Sequence, residues 1–170
     1  GKSTLLNRII GTKLSIVSDK PQTTRNRILG VKNYTEGQVV FLDTPGIHRP
    51  LHRMNVRMVD TAIETIGRVD VLGWIVDATE ETGGGTRFVI NLLKDVRIRI
   101  VLVLNKIDLL AKPRLLPIID WYREQRDFEE IVPVSALTGD GVAVLERVLI
   151  ERLPEGEPLY PEDFLTDRSE

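Results

Sequence analysis

Four short runs carry residue types able to do chemistry together. Gly1-Lys2-Ser3-Thr4 has the form of the closing half of a phosphate-binding loop, G-x-x-x-x-G-K-[ST], running into a helix. In such a loop, backbone N–H groups at a helix N-terminus cradle phosphates, the lysine reaches the outer phosphates and the hydroxyl ligates Mg2+. The first glycine of the pattern, the four residues after it and a preceding strand do not appear in the sequence. Alone, the tetrapeptide equals a frayed helix start, so its meaning depends on the other runs. Asp43-Thr44-Pro45-Gly46 closes an apolar stretch. An aspartate there can hold Mg2+, directly or through water, and a glycine lets a backbone N–H approach a terminal phosphate. The same residues are also ordinary turn chemistry.

Asn105-Lys106-Ile107-Asp108 is the most specific of the four. At a strand exit, the Asp108 carboxylate can accept two N–H bonds from the Watson–Crick edge of guanine. Adenine offers no matching donor pair and would leave that carboxylate unpaired. The Lys106 stem would cover the face of the base, and Asn105 would tie the loop to the phosphate loop. Ser135-Ala136-Leu137 can present backbone N–H groups to guanine O6, a reading that counts only through its place in the order.

The elements that must position these runs follow from apolar periodicity. Leu5, Leu6, Ile9 and Ile10 have helical spacing and Gly11 is a C-terminal cap. Lys13 to Asn26 is a long polar loop. Ile28 to Tyr34 and Val39 to Leu42 predict a hairpin leading into a buried strand. A helix is expected around Met54 to Ile66, buried strands over Val69 to Asp77 and Ile100 to Leu104, and helices over Phe88 to Lys94, Leu115 to Arg126 and Val142 to Leu153. A short strand spans Ile131 to Val134. Apolar strands alternating with helices signal an α/β fold, with a mostly parallel sheet covered on both faces. In open sheets of this kind ligands bind outside the carboxyl ends of strands, so the four runs would converge on one crevice.

Composition sets outer bounds. The 170 residues suit one domain with a sizeable core, and a net charge of -2 argues against a domain that binds polyanions over its whole surface. The absence of cysteine excludes disulfides and thiolate zinc sites. No stretch approaches the roughly 18–20 apolar residues of a membrane helix, and no signal peptide is visible. Pro154 to Glu170, with three prolines and many acids, reads as a linker beyond a domain of residues 1–153.

The ordered set Gly1-Lys2-Ser3, Thr24, Asp43 to Gly46, Asn105 to Asp108 and Ser135-Ala136 is similar to that of the small GTP-binding proteins. Pro21-Gln22-Thr23-Thr24-Arg25-Asn26, the run Asp43 to His48 and the tail Leu159-Tyr160-Pro161-Glu162-Asp163 resemble the Era family within them. The resemblance spans essentially the whole chain. It implies a three-layer P-loop GTPase fold with one antiparallel hairpin strand, here lacking its first strand and the start of its phosphate loop. It implies Mg2+-dependent hydrolysis of GTP to GDP and phosphate. It also implies a C-terminal KH domain, not in this sequence, that binds 16S ribosomal RNA, and a role in maturing the 30S subunit. A cytoplasmic location, partly at the inner membrane surface, and a monomeric domain belong to the same expectation.

Carried onto this sequence, the resemblance gives Lys2 the β- and γ-phosphates and Ser3 the Mg2+ ion. Thr24 becomes the switch threonine sensing Mg2+ and γ-phosphate, with Thr23 as the competing assignment. Gly46 supplies an N–H to the γ-phosphate, and Gly1, Thr4, Thr44 and Pro45 join the nucleotide contacts. Asp43 completes the metal set. Ile47 stands where many such enzymes place a glutamine that orients the attacking water. Its side chain cannot hydrogen-bond, so Ile47 is not catalytic, water must be positioned otherwise and intrinsic turnover should be slow. The missing half of the loop would also include any residue that binds K+.

Lesser features have plainer readings. Arg25, Arg27, Arg49, Arg53 and Arg57 beside the two presumed switch loops form a solvated face or an RNA-facing patch. His48 and His52 are loop bystanders, and Gly83-Gly84-Gly85-Thr86 is a flexible connection capped by Thr86 rather than a second phosphate loop. Trp74, Phe88 and Trp121 belong to the core or its boundary. Two rivals to the switch enzyme are a non-enzymatic ribosome assembly factor holding GTP as a structural ligand, and a P-loop ATPase.

Overall fold

The computed structural model describes residues 2–11, 28–34, 37–42, 69–80, 84–94 and 96–154. In chain order the elements are α1 (Lys2–Ile10), β1 (Ile28–Tyr34), β2 (Gly37–Leu42), β3 (Val71–Asp77), α2 (Gly84–Leu93), β4 (Arg99–Asn105), α3 (Leu115–Gln125), β5 (Glu130–Pro133) and α4 (Val142–Arg152). Strands β3, β4 and β5 form a parallel sheet in that order, and β1 pairs antiparallel with β2.

Strand β4 is the spine. Ile100 to Leu104 are all 2% exposed or less, so this apolar run buries side chains on both faces. Each such side chain contributes roughly 1.5–3 kcal/mol of transfer free energy. Alternate residues serve opposite layers. Val101 and Val103, with Val132 of β5, pack against Leu5 and Ile9 of α1 and Val142, Leu145 and Val148 of α4. Ile100 packs with Leu72 of β3 and Val89 and Leu93 of α2. Leu102 and Leu104 face Tyr122 of α3. Helices therefore cover both faces, as expected of a three-layer α/β domain.

The hairpin is fastened to the first layer rather than left to itself. Val31 is fully buried and Phe41 packs on the α1–α4 cluster. The Lys32 ammonium donates to the Ile9 carbonyl at the end of α1 and pairs with Glu146 of α4 at 3.2 Å. Helix α1 ends as its sequence predicts. Gly11 takes φ 82, and its N–H donates to the Asn7 carbonyl at 2.9 Å.

Three expectations need correction. Helix α2 begins at Gly84, so Gly84, Gly85 and Thr86 lie inside its first turn rather than in a connection; tertiary packing of Val89 and Leu93 outweighs the glycine penalty. Strand β2 is only partly buried, with Val39 its one buried residue. In β3 only Leu72 is buried, because among the described residues β3 has a strand partner on one edge alone. Trp74 sits at a boundary as expected, edge-on to Tyr122 at 6.0 Å and beside Phe128. The helix expected around Met54 to Ile66, the loop from Lys13 to Asn26 and the tail beyond Pro154 lie outside the described residues. Among the described residues, no helix is long and apolar enough to cross a membrane.

Candidate nucleotide-binding site

Parallel pairing brings three strand ends to one edge of the sheet. Asp77 stands opposite Asn105 across β3 and β4, and Leu104 opposite Pro133 across β4 and β5. The chain beyond β5 extends the pairing, since the Val134 N–H donates to the Leu104 carbonyl at 2.8 Å. The Ile107 N–H donates to the Val134 carbonyl at 3.2 Å, so the loops after β4 and β5 lie against each other.

Asn105 and Ser135 are the two buried polar residues among those described, 4% and 0% exposed, and both belong to these loops. Burial of such groups demands partners. The Asn105 side-chain oxygen accepts the Ala136 N–H at 3.0 Å. The Ser135 hydroxyl donates to an Asp108 carboxylate oxygen at 2.8 Å and accepts the Thr138 N–H at 3.1 Å. Residues 27 and 31 positions apart are thereby joined, and the exposed Asp108 carboxylate is aimed by its neighbour rather than left to rotate.

Two details of the corner bear on the sequence expectation. The Asn105 oxygen grips the backbone of Ala136, while Gly1 and the side chains of Lys2 and Ser3, at the phosphate loop to which Asn105 was expected to tie its own loop, lie outside the described residues. Of the Ser135, Ala136 and Leu137 amides expected to present N–H groups to guanine O6, that of Ser135 donates to the Asp140 carbonyl at 2.8 Å and that of Ala136 to Asn105. Polar satisfaction inside the corner accounts for both.

Lys106 takes φ 70 and ψ 32, and Ile107 to Leu109 form a short 3-10 turn. The Lys106 ammonium pairs with Asp77 at 2.9 Å. Burial raises the Asp77 pKa, but hydrogen bonds from Thr79 and from Lys106 outweigh it and hold the carboxyl below 3.8. The hydrogen bond and charge of Asp77 in turn hold Lys106 above 10.5.

The helix that opens with Lys2, Ser3 and Thr4 is attached to the same corner. The Arg8 guanidinium donates to the Ala136 carbonyl at 2.7 Å and to the Leu137 carbonyl at 2.5 Å. Lys2 lies six residues before Arg8, about 9 Å along the helix. Arg8 escaped the sequence reading because its partners are 128 and 129 positions away and its own neighbourhood is ordinary helix surface. Asp77 was legible only as a polar strand exit. The side chains of Lys2 and Ser3, and all of Gly1, Thr24, Asp43, Thr44, Pro45, Gly46 and Ile47, lie outside the described residues.

Chemically, the corner offers a carboxylate oriented by a hydroxyl, a lysine in the same loop and an arginine from α1 that fastens that helix to it. Comparison with known proteins agrees with that layout. Residues 1–106 match the family described as 50S ribosome-binding GTPase. The GTPase Era of Heliobacterium modesticaldum is 46% identical over the whole chain, which spans 57% of that relative's length. A crystal structure of Era in complex with MgGDPNP and nucleotides 1506–1542 of 16S ribosomal RNA superposes with a TM-score of 0.82 at 42% identity, covering 96% of this chain and 56% of that one. A point variant of the Era of Aquifex aeolicus bound to GDP and AlF4− gives 0.80 with the same identity and coverage. The buried Asn105–Ser135 corner, the helix that begins Lys2-Ser3-Thr4 and the family match over residues 1–106 place this protein in the 50S ribosome-binding GTPase family, with whole-chain likeness to GTPase Era.

Proposed function

We propose that this chain binds GTP and hydrolyses it to GDP and phosphate as a switch in assembly of the 30S ribosomal subunit. The observation that carries the base assignment is the corner in which Ser135 orients Asp108 while Asn105 locks the adjoining loop. A carboxylate so fixed can accept from N1 and the 2-amino group of guanine without rearranging, which is how a polar site discriminates strongly. Lys2, in the first turn of α1, is suited to the β- and γ-phosphates because the helix N-terminus adds its own N–H donors.

Ser3, Thr24 and Asp43 form an all-oxygen donor set, the type that suits Mg2+. When bound, that ion would neutralise charge on the outer phosphates. Thr24 and the Gly46 N–H would sense the γ-phosphate, and Ile47 leaves water positioning to backbone groups, to K+ or to another chain. Contact with 16S ribosomal RNA is proposed by analogy with the Era complex, through the KH domain that the resemblance implies rather than through residues 1–153. A monomeric domain in the cytoplasm, with peripheral membrane contact, completes the reading.

Multiple-turnover hydrolysis by the full-length protein is the test. GTP should be turned over slowly and ATP not measurably, and Lys2→Ala should lower kcat/KM by about 100-fold or more. Unchanged turnover in Lys2→Ala, or equal use of ATP, would overturn the assignment.

A further inference from the structure

We propose that Asp77 is a positioning residue for guanine nucleotides, holding the Lys106 head so that the lysine stem is presented to the face of the base. This rests on the base-site reading above. Asp77 is not part of any of the four runs singled out by sequence. It ends β3, directly across from Asn105, at the same sheet edge as the base-reading loops.

The carboxylate is fixed before it meets the lysine. One oxygen accepts both the Thr79 N–H at 2.9 Å and the Thr79 hydroxyl at 2.6 Å, and the other takes the Lys106 ammonium at 2.9 Å. Asp77 is 19% exposed at its side chain and Lys106 47%, so the anchor is the more sheltered partner. Glu80 and Asp108 also act on Lys106 through charge, yet Asp77 is the group in contact.

Lys106 is also the one non-glycine residue with positive φ among those described. That conformation is uncommon for a lysine and is strained for an L side chain. An ion pair whose lysine is exposed returns little, because solvent screens it. Fold stability therefore gives little reason for the combination of a strained lysine and a pre-oriented carboxylate. Preorganisation for a ligand does, because a four-carbon stem with one placed end loses less freedom when a base settles on it.

The test is equilibrium binding of a fluorescent GDP analogue to the full-length protein. Lys106→Ala should weaken binding about tenfold or more, and Asp77→Asn about threefold to tenfold. In the Lys106→Ala background Asp77→Asn should then have no further effect, because its influence passes through the lysine. Thr79→Ala, at an exposed position, should weaken binding in the same direction and guards against a folding defect in Asp77→Asn. The preference for GDP over IDP should be unchanged in Asp77→Asn, since the face of the base, not its edge, is involved. If Lys106→Ala binds GDP normally, the base-site reading itself fails. If it binds poorly while Asp77→Asn binds as tightly as wild type or tighter, or loses the same factor in both backgrounds, the positioning role is wrong.

Discussion

The loop leaving β4 is held by side chains, whereas the loop leaving β5 is closed mainly by its own backbone. In the first, Asn105, Asp108 and Lys106 each reach out to a partner from another segment. In the second, the Ser135 N–H donates to the Asp140 carbonyl and the Gly139 N–H to the Ser135 carbonyl, both at 2.8 Å. Gly139 and Gly141 there take φ 93 and 76. One loop supplies the chemistry of reading and the other supplies a rigid wall to read against. Substitutions should separate these roles: a change at the base-reading carboxylate of the first should alter which ligand binds, and a change in the second how well anything binds.

The largest effect is expected from Asp108→Asn. An asparagine can still accept the Ser135 hydroxyl, and position 108 is exposed, so the melting temperature should hardly move. Its amide now sets a donor against the guanine 2-amino group, which should cost GDP about three orders of magnitude in affinity. Xanthosine diphosphate, with a carbonyl at that position, should bind better than GDP does. A uniform loss for both nucleotides would mean that side chains hold the loop's shape rather than its specificity.

Gly141→Ala probes the other loop and should give the next largest effect. A Cβ there would come 2.2 Å from the Pro133 carbonyl oxygen and 3.2 Å from the Val134 Cα, both backbone. Neither can rotate away, and φ 76 already penalises an L side chain. A loss of about 2–4 kcal/mol in unfolding free energy is expected, read from denaturant titration. Affinities for GDP, IDP and XDP should fall by one common factor. Selective loss of GDP would erase the distinction between the loops.

The same contrast explains what could be seen in the sequence. Strand β1, the Gly11 cap, and α3 and α4 to within a residue follow from local periodicity and end signals, which need no knowledge of distant partners. The Asn105-to-Asp108 run was legible because its chemistry is compressed into four consecutive residues. The hand that Arg8 lays on Ala136 and Leu137 was not, since it joins segments 128 and 129 positions apart. Burial of β3 was overestimated for a related reason. An apolar run states what a strand can tolerate, and the number of neighbours decides what it gets. Gly84 and Gly85 misled in the opposite direction, because local propensity yields when the following turns have a core to bury.

The smallest effect, a flat pH response, sharpens the comparison most economically. The Asp77–Lys106 pair belongs to the side-chain loop, and both partners are displaced away from neutrality. Asp77, depressed below 3.8, contributes above that value and loses its contribution as pH falls through the folded pKa. Lys106, raised above 10.5, contributes fully below that value and loses its contribution only as pH climbs past the folded pKa. Between about pH 5 and 9, then, the pair stays charged at both ends. The difference in melting temperature between wild type and Asp77→Asn should be constant over that range and shrink below about pH 4. Any histidine titration elsewhere, including His48 and His52, is common to both proteins and cancels in the difference. A slope near pH 6–7 in that difference would mean that a histidine, not Lys106, is the partner Asp77 answers to.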